Sequence, residues 1–73
     1  MPFKPLPYRE VKRRLEAAGF WIVSQNGSHV KFAKKTPKGT RTAIVPCHRD
    51  VAPGTIRSAL RQAGISEKEF EKL

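Results

Sequence analysis

One histidine, His29, opens the alternating run Val30-Lys31-Phe32-Ala33, directly after Asn26-Gly27-Ser28. An imidazole gains and loses protons near neutrality, so it can serve in turn as base and as acid. The surrounding stretch, residues 20–46, carries Lys31, Lys34, Lys35, Lys38 and Arg41 and no carboxylate. Cations of this kind bind phosphates and stabilise charge that builds on a reacting phosphorus centre. The combination suits RNA cleavage, in which one proton leaves a 2′-hydroxyl and another reaches the departing 5′-oxygen. A histidine that only hydrogen-bonds in its turn, beside lysines that block strand pairing, would use the same residues.

The neighbouring positions add to both readings. Gly27 would let the backbone come close to a ligand. The turn's N–H groups and the Ser28 hydroxyl could donate to a phosphate oxygen. The demands of the turn alone also account for Gly27. His48, with Arg49 and Asp50 beside it, is a candidate second acid–base group, although capping a loop or helix is the more ordinary use. Cys47 next to His48 has nothing in the sequence to orient it as a nucleophile, and a semi-buried cysteine is expected. Two histidines, one cysteine and six scattered carboxylates show no metal-ligand spacing. No metal or cofactor is expected.

These residues need elements to hold them. Pro2, Pro5 and Pro7 should keep the start extended, with Pro7 in the first turn of a helix. Tyr8, Val11, Leu15 and Ala18 form one helical stripe, and Gly19 ends it. Phe20-Trp21-Ile22-Val23 reads as a strand. Asn26-Gly27 signals a hairpin turn, since both residues tolerate positive φ. In the second strand, about His29 to Lys35, Val30 and Phe32 point one way while His29, Lys31 and Ala33 point the other. Thr36-Pro37-Lys38-Gly39 is a second turn, Thr40 to Val45 the third strand, and Pro46 its end. Cys47 to Ala52 is a loop. Pro53-Gly54-Thr55 begins a helix that buries Ile56, Ala59, Leu60 and Ala63 and stops at Gly64. Ser66 and Glu69 have capping-box spacing before a short last helix anchored by Phe70 and Leu73. The expected fold class is α+β: a three-stranded antiparallel meander with helices on one face, which alone lets so small a sheet hide its apolar side.

Seventy-three residues make a single domain, with no room for a deep cleft. Fifteen Lys and Arg against six Asp and Glu give a net charge of +9, which favours a polyanionic partner, nucleic acid or an acidic protein. A lone cysteine excludes an intrachain disulfide and fits a reducing cytoplasm. No apolar run suits a signal peptide or a membrane span. Residues 55–73 superficially resemble a DNA-reading helix-turn-helix. However, the second helix carries Glu67, Glu69 and Glu71, which phosphates would repel, and it is short for a groove reader. It reads as a structural clasp.

From Tyr8 to Leu73 the sequence resembles the HicA toxins, the mRNA interferases of type II toxin–antitoxin pairs. The resemblance rests on Ala17-Ala18-Gly19-Phe20, Gly27-Ser28-His29, Val45-Pro46-Cys47-His48, Gly54-Thr55-Ile56-Arg57-Ser58 and Arg61-Gln62-Ala63-Gly64-Ile65-Ser66, in order. It implies an α-β-β-β-α core like that of double-stranded-RNA-binding domains, here with one added helix. It also implies metal-independent cleavage of mRNA by the histidine matching His29, and a HicB-type antitoxin that occludes that histidine. With one Trp and one Tyr there is little to stack splayed bases, so readout by shape and charge is expected. The leading expectation is a toxin endoribonuclease. His29 would be catalytic, while Gly27, Ser28, Lys31, Lys34, Lys35, Lys38 and Arg41 would contact RNA. The alternatives are a non-catalytic RNA-binding module and a protein whose basic face serves an acidic partner.

Overall fold

The computed structural model describes residues 4–73, so the expectation for Pro2 lies outside the described residues. Helix α1 runs Tyr8–Ala17. Pro7 precedes it with extended ψ rather than lying in its first turn, and its carbonyl accepts from the Glu10 and Val11 N–H groups. Val11 and Leu15 are buried, with Tyr8 and Ala18 packed at their margin. At the helix end the Gly19 N–H donates to the Glu16 carbonyl and the Phe20 N–H to the Leu15 carbonyl. These bonds require positive φ at Gly19, which sits at 98°.

Three strands follow: β1 Trp21–Asn26, β2 His29–Thr36 and β3 Gly39–Pro46. They pair antiparallel in chain order. The first hairpin closes on Asn26 opposite His29, so its two turn residues are Gly27 and Ser28. The sequence expectation set the turn one residue earlier. Gly27 has φ of 62° and no non-glycine residue among those described has positive φ, the pattern of a turn whose first central residue alone is left-handed. Asn26 thereby becomes a strand residue. A bulge between Ile22 and Ser24 shifts the β1 register.

Helix α2, Pro53–Ala63, and α1 cover the face bearing Val30, Phe32, Ala43 and Val45. Leu6 and Val51 exchange two backbone hydrogen bonds, a bridge that ties the start of the chain to the loop before α2. Helix α3, Glu67–Glu71, has the expected capping box between Ser66 and Glu69. Phe70 is fully buried, and the Arg14 guanidinium stacks 4.9 Å from its ring centroid. Arg13 and Arg14 also donate to the carbonyls of Leu73 and Phe70, so α3 does clasp α1. Among the described residues no helix is long and apolar enough to cross a membrane.

Candidate functional site

Strand alternation and register decide what accompanies His29. Opposite it stand Asn26 on β1 and Pro46 on β3; two residues on, Lys31 stands between Ser24 and Ile44. Since Val30 and Phe32 are sealed beneath the helices, these residues share the uncovered face. Ser24, Asn26, His29, Lys31 and Ile44 line one shallow depression of about 350 Å³. His29 and Lys31 are both exposed, and neither makes a side-chain hydrogen bond or ion pair among the described residues. Gly27 and Ser28 are exposed in the adjoining turn, where the Gln25 side-chain amide donates to the Gly27 carbonyl. A Cβ at Gly27 would meet nothing within 4 Å, so the approach to the turn is open.

The other four predicted cations are not all beside the histidine. Lys35 has the parity of His29, but six residues along a strand put it about 20 Å away. Lys38 is exposed in the second turn. Lys34 and Arg41 are cross-strand partners on the helix-covered face. The Lys34 ammonium donates to the Ala18 carbonyl at 2.7 Å and lies 5.9 Å from the Phe20 ring centroid. The Arg41 guanidinium packs against Gly64, where a Cβ would stand 3.1 Å from three of its atoms. Gly64, with φ of 75°, ends α2 by the same pair of backbone bonds that ends α1. One cation therefore sits at the C-terminus of each long helix, where the helix dipole favours positive charge. Of the predicted set, only Lys31 shares the His29 depression.

Asn26 and Ser24 also line the depression, and sequence reasoning passed over them. The sequence pattern puts Asn26 in the turn, and Ser24 reaches this face through the bulge, for which the sequence has no marker. Cys47 is exposed rather than semi-buried. The His48 ring makes no hydrogen bond among the described residues, so it is not the cap the sequence suggested. No group of three or more His, Cys, Asp or Glu among the described residues could hold a metal ion.

Most charged pairs lie away from this face. Glu10 accepts from Arg13 and Arg14, which hold its carboxyl well below the usual range, at about 2. Other ion pairs among the described residues join Lys12 to Glu16 and Arg57 to Glu67. The cations of the sheet thus keep their charge for an external partner or for the helix ends.

The family model described as the HicA toxin of bacterial toxin–antitoxin matches residues 8–65, most of the chain. The chain belongs to the HicA toxins. A comparison with curated proteins returns no match. As a HicA-family member it is a toxin whose system supplies an antitoxin partner. Its α-β-β-β-α core with a short added helix is the arrangement of a double-stranded-RNA-binding domain.

Proposed function

We propose that this toxin is an endoribonuclease that cleaves mRNA in the cytoplasm without a metal ion, with His29 moving the protons, and that a HicB-type antitoxin neutralises it. The observation that carries this reading is the exposed imidazole sharing a depression with Lys31 on a sheet face free of carboxylates. Neutral His29 removes the proton from a ribose 2′-hydroxyl, and that oxygen attacks the adjacent phosphorus. The bond to the 5′-oxygen breaks as that oxygen takes up a proton from the imidazolium just formed, which returns His29 to its neutral form. A 2′,3′-cyclic phosphate and a 5′-hydroxyl result. Lys31 steadies the charge on the phosphorane oxygens. The Ser28 hydroxyl, the N–H groups around Gly27, and Lys35 and Lys38 along the strand hold flanking phosphates. Lys34 and Arg41 complete the RNA-contact set expected from the sequence; Arg41 is exposed, while Lys34, held by the Ala18 carbonyl, is the least available member.

A HicB-type antitoxin would act by covering the uncovered face of the sheet. Purified toxin incubated with RNA in the presence of a chelator tests the chemistry. His29→Ala should lose cleavage by about 10²–10⁴-fold, the usual worth of general acid–base catalysis. Its fold should be intact, because the exposed ring makes no hydrogen bond or ion pair among the described residues. Full cleavage by His29→Ala would remove the mechanism. One observation favours a second reading, a non-catalytic RNA-binding module: no side chain among the described residues hydrogen-bonds the His29 ring. RNA bound but left uncut by the wild-type toxin would establish that reading instead.

A further inference from the structure

A second depression, of about 560 Å³, lies where α1 begins beside the Cys47–Asp50 loop. Tyr8, Arg9, His48, Arg49 and Asp50 are among the residues that line it. Arg9 and Arg49 are exposed, and neither they nor His48 makes a side-chain hydrogen bond or ion pair among the described residues. Two guanidinium groups and an imidazole therefore face solvent together, against the single carboxylate of Asp50. Arginines presenting five donors each, with none used internally, match the planar oxygen pairs of a phosphate.

The backbone ties this cluster to the His29 end of the sheet. Pro46 pairs with His29, the Cys47 N–H donates to the Ser28 carbonyl, and the His48 N–H donates to the Pro46 carbonyl. Two Cα steps from a strand partner place the His48 Cα within about 13 Å of the His29 Cα. That separation is spanned by a few nucleotides of one strand. We propose that this depression is a second phosphate-binding subsite of the toxin. It holds the RNA strand that flanks the bond at His29, with Arg9 and Arg49 on the phosphate oxygens and His48 as a further donor. The assignment rests on the ribonuclease reading and extends it to residues outside the sheet.

The test is binding of a short fluorescein-labelled single-stranded RNA, followed by anisotropy across a series of salt concentrations. The full chain carries His29→Ala so that RNA stays intact. Adding Arg9→Ala and Arg49→Ala should weaken binding at least tenfold at low salt. It should also reduce the slope of log affinity against log salt by about 1.4, two phosphate contacts' worth on a single strand. Lys68→Ala with Lys72→Ala removes the same charge from α3 and its C-cap and should change the slope much less. Equal effects from the two pairs, with the wild-type toxin still cleaving RNA, would overturn the subsite and leave the ribonuclease reading standing. No RNA binding by the His29→Ala parent, with no cleavage by the wild type, would overturn both. Arg9→Ala/Arg49→Ala protein that keeps its RNA affinity but loses its antitoxin would assign the depression to the protein partner and also overturn the subsite.

Discussion

Lys31 and Lys34 are three residues apart on one strand, yet the structure gives them opposite employment, and replacing each by methionine should separate the two roles. Methionine keeps the length of the aliphatic stem and removes only the charged end. At Lys34 that end donates to the Ala18 carbonyl at 2.7 Å, beside the Phe20 ring. A hydrogen bond to a charged group contributes about 1.5–3 kcal/mol net, and a cation at a helix C-terminus about 0.3–1 kcal/mol. These overlap, the site is only part-buried, and relieving one charge of a net +9 offsets some of the loss. Lys34→Met should therefore cost about 1–2 kcal/mol, a fall in melting temperature of roughly 4–16 °C for a domain of this size. Lys31→Met removes no hydrogen bond or ion pair among the described residues and should stay within about 0.5 kcal/mol of wild type. RNA binding should show the reverse. On a His29→Ala background Lys31→Met should lower the salt slope by about 0.7, the value of one phosphate contact on a single strand, and Lys34→Met should leave it nearly unchanged. Thermal melts and anisotropy titrations on the same preparations provide both readings. If Lys34→Met melts with the wild type and lowers the slope as far as Lys31→Met, the division of the cations by face is wrong.

Three further outcomes follow from local geometry. Gly64→Ala forces an L side chain to φ of 75° and against the Arg41 guanidinium, so it should cost at least about 1–2 kcal/mol in urea unfolding. Ser66→Ala breaks the capping box of α3 and should cost about 1 kcal/mol by the same measurement, with cleavage unchanged at temperatures where the protein stays folded. The Glu10 carboxyl, held at about 2 by hydrogen bonds from Arg13 and Arg14, lies below its ordinary 4.5, so the stability it contributes is complete above pH 4.5 and lost as pH falls toward 2. Glu10→Gln should flatten that part of the acid-unfolding profile, and an unchanged profile would show that the ion pairs do not persist in solution.

Most of the fold could be read from the chain because its signals are local and agree with one another. The stripe Tyr8, Val11, Leu15 and Ala18, the glycines at 19 and 64, and the Ser66–Glu69 spacing each specify one element through contacts within a few residues. The first hairpin lies one residue later than the Asn26-Gly27 signal implies, for a physical reason. Asn26-Gly27 and Gly27-Ser28 both satisfy a two-residue turn, and only pairing with the rest of the sheet selects between them. Here Asn26 pairs with His29, and glycine alone occupies the left-handed position. The Leu6–Val51 bridge has no sequence marker at all, since an isolated pair of extended residues carries no periodicity.

The candidate site was legible only as far as strand parity reaches. Parity sends His29 and Lys31 to the uncovered face because Val30 and Phe32 must be buried, and the structure has them there. Parity also separates Lys34 from Lys31, but net charge by segment treats the two as equivalent. What segment charge omits is the path of the helices: both long helices end over the same strand pair, where the Ala18 carbonyl holds the Lys34 ammonium and the exposed Arg41 side chain packs against Gly64. A basic stretch on a sheet covered by helices is thus divided before any ligand arrives. Some of its cations neutralise helix ends, and the remainder determine where an anion can bind. The uncovered face keeps Lys31 beside the histidine, while the unpaired arginines nearby belong to α1 and to the loop after β3, segments whose charges look unrelated in the linear chain.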